Sequence, residues 1–244
     1  MQAMIFAAGL GTRLKPLTDT RPKALVELNG QTLLQQLMLK LKNSGITKVV
    51  VNVHHFPDMI IDYLKTNQGF GMQWAVSDER DQLLETGGGL RKAGPLFESY
   101  EPILVHNVDI LSNLDFNQLI SAHDESCLAT LAVSQRDTQR YFLFNNDQRL
   151  CGWTNIATGE IRPDNINIDQ CKLHKLAFSG IQIVNPDIFK EMDGFGDKFS
   201  ITDLYIKKCS THLIKGYVPQ NYQMMDVGKI NQIQEAQSFA AHLA

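Results

Sequence analysis

The apolar run from Met1 to Ala8, followed at once by Gly9, Gly11 and the cations Arg13 and Lys23, most constrains what this chain can become. A short apolar run bounded by glycine reads as a buried strand. Glycine then permits a sharp turn and lets backbone N–H groups come close to an anion. Pro16 and Pro22 stiffen the following loop, so Arg13 and Lys23 are presented on a pre-ordered segment. Together these residues describe a cradle for a phosphate-bearing ligand.

Downstream of the cradle, helix-like and strand-like segments alternate. Thr32 to Ser44 carries Leu33, Leu34, Leu37, Met38 and Leu41 at helical spacing and ends at Gly45, and Lys48 to Val53 then reads as a strand. A short helix after Pro57, a strand from Met72 to Val76, a helix from Gly88 to Ala93 and a strand from Pro102 to Asn107 continue the pattern. Such alternation implies right-handed crossovers, a mostly parallel sheet, and ligands outside the carboxyl ends of its strands. From Cys127 the runs CLATLAVSQ, YFLFNN and LCGWTN, separated by Asn, Asp and Gly turns, predict antiparallel strands added to that sheet. Leu176 to Val184 reads as a central strand and Ile230 to Leu243 as a closing helix. With no repeat or linker, residues 1–244 are expected to form one domain.

Composition narrows the function classes. With 43% hydrophobic residues, 20% charged residues and a formal net charge of −3, nothing points to disorder, nucleic-acid binding or a membrane surface. No stretch approaches about twenty apolar residues and the N-terminal run lacks a basic leader, so a cytoplasmic protein is expected. Cys127, Cys151, Cys171 and Cys209 show no Cys-x-x-Cys pair and read as buried free thiols.

Two familiar phosphate loops are excluded at Gly9 to Lys23. A P-loop needs Lys and then Ser or Thr after its second glycine, where this chain has Thr12 and Arg13. A dinucleotide fingerprint needs a small residue at position 14, which is Leu14, and a helix that Pro16 opposes. The segment instead resembles the signature of the sugar-phosphate nucleotidyltransferases, with Gly9, Gly11, Thr12, Arg13, Leu14, Pro16, Leu17, Thr18, Pro22, Lys23 and Leu25 all matching. The resemblance runs in order through nearly the whole chain. It implies an α/β fold with a Rossmann-like, mixed, mostly parallel central sheet flanked by helices, with small antiparallel additions. At this length the further C-terminal β-helix domain of bifunctional relatives is not expected.

Position singles out two carboxylates. Asp109 follows the apolar strand PILVHN, and Asp226 in MMDVG follows a second strand-like run, so both are candidates for the crevice and for a hard cation held through oxygen. In the family the corresponding pair binds Mg²⁺; Asn107 and Asp109 match its Asn-Gly-Asp strand end, while Val108 replaces the glycine. The resemblance further assigns Ala8, Gly9, Gly11 and Thr12 to nucleotide binding, Arg13 to the departing β,γ-phosphates and Lys23 to the reacting phosphates.

The stretch ETGGGL from Glu85 to Leu90 reads either as a turn with a Thr86 cap or as a place where a base, ribose or sugar lies against bare backbone. Its form, with AFSGIQIVNPDIF from Ala177 to Phe189, looks most like the N-acetylmuramate 1-phosphate uridylyltransferases. That likeness marks Glu85, Thr86, Gly87, Asn107, Ser179 and Gly180 as substrate contacts. His54 and His55 are read as packed or solvated turn residues, His106 as core, and Trp74 and Trp153 as core aromatics. The implied reaction is Mg²⁺-dependent transfer from a nucleoside triphosphate to a sugar 1-phosphate, with UTP and N-acetylmuramate 1-phosphate as the leading pair. Mannose- or heptose-1-phosphate guanylyltransfer is one alternative; a silent regulatory subunit that binds sugar nucleotides is another. The expected partners are these small molecules, without nucleic acid or membrane, for a monomer.

Overall fold

The computed structural model describes all residues except 99, 165, 167, 169–171 and 244, so Cys171 lies outside the described residues. The first half contains β1 (Gln2–Phe6), β2 (Glu27–Leu28), β3 (Gln31–Thr32), α1 (Leu33–Asn43), β4 (Lys48–Val53), α2 (Pro57–Thr66), β5 (Gln73–Asp78), α3 (Glu85–Ala93) and β6 (Ile103–Asn107). It is followed by β7 (Ile110–Ser112), α4 (Phe116–Ala122), β8 (Ala129–Ser134), β9 (Arg140–Phe144), β10 (Leu150–Asn155), β11 (Glu160–Arg162) and β12 (His174–Val184). The chain closes with α5 (Ile201–Lys208), β13 (Ile214–Tyr217), β14 (Met224–Asp226) and α6 (Ile233–Leu243). Among the described residues, no helix is long and apolar enough to cross a membrane.

β1 sits inside the sheet because both its faces are apolar. Ala3 and Ile5 enter one core with Leu34, Met38, Val49, Val51, Ile60 and Phe116, under α1, α2 and α4. Met4 enters the other with Val50, Leu90, Val105, Leu204 and Tyr205, under α3 and α5. A parallel strand covered on both faces by helices is the arrangement that the alternating first half demands. The main sheet runs β11-β10-β9-β12-β6-β1-β4-β5, with β8 on β12 and β13 on β8. β5, β4, β1 and β6 are mutually parallel, and β12 joins β6 antiparallel. The sheet is therefore mixed, its parallel part carrying the crossover helices and its second half the antiparallel strands.

Local chemistry explains several boundaries. Thr32 caps α1 by accepting the Gln35 N–H at 3.0 Å, and α2 opens on Pro57, where a missing N–H costs nothing. Asn145 turns β9 into β10 by accepting the N–H groups of Asp147 and Arg149 at 3.0 and 2.9 Å.

One boundary differs from the sequence expectation. The helix expected from Gly88 begins at Glu85, so the three glycines form its opening turns. A Cβ on Gly88 would lie 2.2 Å from the Asp197 carbonyl oxygen, and one on Gly87 2.3 Å from the Phe199 ring. The Gly87 N–H also donates to the Phe199 carbonyl at 2.9 Å. The glycines thus let α3 press against a segment more than a hundred residues away, which local sequence does not show. Thr86 caps no turn of its own; its hydroxyl accepts the N–H of Ile201 at 3.0 Å and holds the start of α5.

The thiols of Cys127 and Cys209 are buried and free, and burial pushes both above their ordinary pKa; Cys151 is half-buried. His106 is in the core as expected, edge-on to Phe116 at 5.4 Å between centroids. Burial lowers its pKa to about 3, helped by the nearby Lys40 charge and opposed by its hydrogen bond to the Asn107 carbonyl. The unfolded chain therefore takes up this proton first as pH falls. The His106 contribution is complete above about pH 6.5 and is lost as pH drops toward 3. In urea titrations from pH 7 to 4, wild type is expected to lose stability more steeply than His106→Gln, by up to about 1.4 kcal/mol per pH unit. Parallel profiles would show that this imidazole is not buried neutral.

Candidate active site

The loop after β1 folds upon itself. Gly11 takes a left-handed backbone, φ 63°, and its carbonyl accepts the Leu14 N–H and the Thr18 hydroxyl, each at 2.8 Å. A Cβ at Gly11 would sit 3.2 Å from the Lys23 Cβ and 2.9 Å from a Thr18 methyl, so a glycine here lets the loop close on the lysine. Short 3-10 turns at Thr12–Leu14, Leu17–Asp19 and Lys23–Leu25 occupy the span where prolines oppose a long helix. The last turn buries Lys23 with its ammonium aimed at the carboxyl end of β6.

That ammonium meets both candidate metal ligands. Lys23 Nζ donates to Asp109 Oδ2 and lies 3.9 Å from Asp226 Oδ1. The two aspartates, more than a hundred residues apart, are joined by strand pairing. β14 runs antiparallel to β7 with Asp226 opposite Ile110, and the Val227 N–H donates to the Asp109 carbonyl at 2.8 Å. Arg13 completes the cluster; a Cβ at Gly228 would lie 3.2 Å from its Nη2 and 3.0 Å from Asp226 Oδ1. Partial burial and the Asp109 carboxylate push the Asp226 carboxyl above its ordinary pKa, against the opposing charges of Lys23, Arg13 and Arg136.

A cavity of about 380 Å³ opens beside this cluster. Ala8, Gly9, Lys23, Glu85, Thr86, Asn107 and Asp109 line it, as do Asn52 and Leu83, which the sequence did not single out. Glu85 holds a left-handed backbone, φ 62°, uncommon outside glycine. Gly180 reaches the cluster through Asn107: its φ is 73° and a Cβ would lie 2.6 Å from Asn107 Nδ2. It sits where β12 bulges against β8, the register shifting between Phe178 and Gln182. Thr12 is exposed on the first turn outside the cavity wall, Gly87 is packed behind it against Phe199, and Ser179 is buried beside Tyr222. Val108, the departure from the family glycine, is buried in the core and forms part of the wall.

Behind the cavity lies a polar chain. Asn52, at 2% exposure near the end of β4, accepts the Ala7 N–H at 2.7 Å and donates to the fully buried Glu79 carboxylate at 2.7 Å. Glu79 in turn accepts the Leu84 N–H at 3.0 Å just before α3. One chain of hydrogen bonds thus fixes both the entry to the glycine loop and the start of the helix on the opposite wall. A polar Asn in an apolar strand, KVVVNV, is the sequence signal that could have found it.

The donor set suits a hard cation. Two aspartate carboxylates converge on one ammonium, and no group of three or more His, Cys, Asp or Glu able to hold a metal occurs among the described residues. One or two carboxylates, with water and phosphate oxygens filling the remaining positions, is a usual protein contribution to Mg²⁺.

A glycine loop after β1, a lysine, and two aspartates gathered at the carboxyl end of β6 by the β7–β14 pairing describe a phosphate-handling α/β protein. The sequence profile described as nucleotidyl transferase matches residues 2–242, and the chain belongs to that family, whose similar members are sugar-1-phosphate uridylyl- and guanylyltransferases. It is 31% identical to the N-acetylmuramate α-1-phosphate uridylyltransferase of Caulobacter vibrioides, over 91% of this chain and 90% of that protein. It is 30% identical to the protein of the same name in Neisseria meningitidis serogroup B, over 98% of each. Among solved structures, HddC from Yersinia pseudotuberculosis complexed with GMP-PN superposes with a TM-score of 0.76 at 23% identity, over 97% of this chain and 98% of that one.

Asn52→Leu removes one hydrogen-bond partner from a carboxylate that has no access to water. The substitution is expected to cost about 1–3 kcal/mol in urea unfolding. A change within a few tenths of a kcal/mol would show that the Asn52 and Glu79 side chains do not depend on one another.

Proposed function

We propose that the chain transfers the uridylyl group of UTP to N-acetylmuramate 1-phosphate, releasing pyrophosphate. The convergence of Lys23, Arg13, Asp109 and Asp226 beside a glycine loop carries the reaction; likeness to two N-acetylmuramate α-1-phosphate uridylyltransferases over nearly the whole chain supports the substrates.

An oxygen of the sugar phosphate attacks the α-phosphorus in line. The bond from that phosphorus to the bridging oxygen of the β-phosphate breaks, and pyrophosphate departs with the electron pair. The two reactants are both polyanions, so charge neutralisation and alignment dominate, without a covalent protein intermediate. Ala8, Gly9, Gly11 and Thr12 offer backbone N–H groups to the triphosphate. Lys23 places a mobile charge on the reacting phosphates, and Arg13 offsets the charge that accumulates on the departing β,γ-portion. Asn107, Ser179 and Gly180 shape the sugar side, while Glu85, Thr86 and Gly87 form or support the opposite wall. Asp109 and Asp226 are suited to hold Mg²⁺, which when bound neutralises phosphate charge and aligns donor with acceptor.

The test is pyrophosphate release with Mg²⁺ across five nucleoside triphosphates and a panel of sugar 1-phosphates. UTP with N-acetylmuramate 1-phosphate is expected to give the highest kcat/KM. A dominant GTP pairing would move the chain to guanylyltransfer with the same cluster at work. Lys23→Ala is expected to lower kcat by roughly 10²–10³-fold. Near-full activity in that variant would remove Lys23 from the chemistry.

A further inference from the structure

A second cavity, of about 440 Å³, lies on the antiparallel side of the molecule. Arg136, Arg140, Arg162, Trp153, Phe178 and Ser200 contribute to its walls. Three guanidinium groups face two carboxylates, Glu160 and Asp203, and both carboxylates are taken by one arginine. Arg162 pairs with Asp203 at 2.8 Å and Glu160 at 3.2 Å, with its guanidinium 4.4 Å from the Trp153 ring centre. Among the described residues, Arg136 donates only to the Phe178 carbonyl, at 3.0 Å, and neither Arg136 nor Arg140 has a carboxylate within ion-pair distance. Among the described residues, the lining therefore carries net positive charge on guanidinium forks, the geometry that matches a carboxylate.

This cavity adjoins the one with the aspartates at two places. Phe178 is two residues from Gly180 on β12, and Gly180 packs on Asn107. Ser200 precedes Ile201, whose N–H is held by Thr86 in the wall of the first cavity. Arg136 lines this pocket, and its charge also acts on Asp226 of the first cluster.

We infer that this pocket reads an anionic arm on the acceptor sugar, with Arg140 and Arg136 as the groups that meet its carboxylate. The inference rests on the reading that a sugar 1-phosphate is the acceptor, and it names the feature of that sugar which the chain selects. N-acetylmuramate differs from N-acetylglucosamine by one lactyl ether bearing a carboxylate. The same pocket leaves two unpaired guanidinium charges facing an uncharged sugar, so discrimination works through both a gained pair and a missing one.

The test compares binding and turnover of N-acetylmuramate 1-phosphate and N-acetylglucosamine 1-phosphate by wild type, Arg140→Gln and Arg140→Glu. Arg140 is exposed, and its replacements are expected to fold, as thermal melting would verify. Wild type is expected to prefer the acidic acceptor by calorimetry, and Arg140→Gln to reduce that preference roughly tenfold to a hundredfold, with Arg140→Glu reducing it further. A preference that survives both substitutions, or a wild type with none, would overturn the inference. In the latter case UTP-dependent pyrophosphate release would still leave nucleotidyl transfer standing. If the acidic acceptor bound preferentially through Arg140 but no nucleotide were transferred, the pocket would stand and the proposed reaction would fall.

Discussion

One ammonium set between two carboxylates organises the working end of this molecule. Lys23 contacts Asp109 and stands 3.9 Å from Asp226, and each of the three comes from a different part of the chain. Two aspartates brought this close repel each other, and their proximity is tolerable only with positive charge between or beside them. Lys23 supplies it directly and Arg13 from the outer side. A lysine, a point charge on a flexible stem, suits a position that must pair with carboxylates and also follow phosphates; the fixed fork of an arginine would not.

Such a cluster demands a rigid frame. The carboxyl end of β6 is held by parallel pairing to β1 on one edge and antiparallel pairing to β12 on the other. Apolar side chains from both faces of these strands anchor them in two cores. In the glycine loop Leu14 enters the first core, but Gly9 to Thr12 stay outside it, so that their backbone remains accessible. Its entry is tied instead by Asn52 to the buried Glu79, so a polar interaction does at the site what apolar burial does elsewhere. A satisfied buried network of this kind fixes direction as well as position, which a hydrophobic contact does not.

How much of this the sequence revealed follows from how local each signal is. The glycine loop, Arg13 and Lys23 lie within fifteen residues of each other and were legible as a unit, as were β1, α1 and β4, whose periodicity is regular. Asp109 was legible from its place after an apolar strand. That Asp226 stands beside it was implied by family resemblance alone, because the pairing of β14 with β7 links segments with no shared pattern. The glycine triplet at Gly87 to Gly89 misled for the same reason: its absent side chains accommodate Asp197 and Phe199, both distant in sequence, as well as the nearer Glu79. The pairing of Asn52 with Glu79 and the arginine pocket are likewise products of tertiary contact, and of these residues Asn52 alone, polar in an apolar strand, stands out in the sequence.

The two halves of the sheet divide the work. Phosphate chemistry needs close backbone approach and dense local charge, which the carboxyl ends of β1 and β6 provide. Discrimination among sugars needs side chains that can vary without disturbing that cluster, and the strands β9 to β11 stand apart from it, connected through the bulge in β12. Gly180 in that bulge contacts Asn107, while Phe178 on the same strand borders the arginines, so one strand spans both tasks. The charge balance supports this division. A chain with a formal net charge of −3 gains no overall attraction for polyanions. At physiological salt, charges beyond about 8 Å are largely screened, so binding must rest on cations near the ligand itself. Arg13 and Lys23 at one cavity, and Arg136 and Arg140 at the next, put those cations where phosphates and an acidic sugar arm would lie.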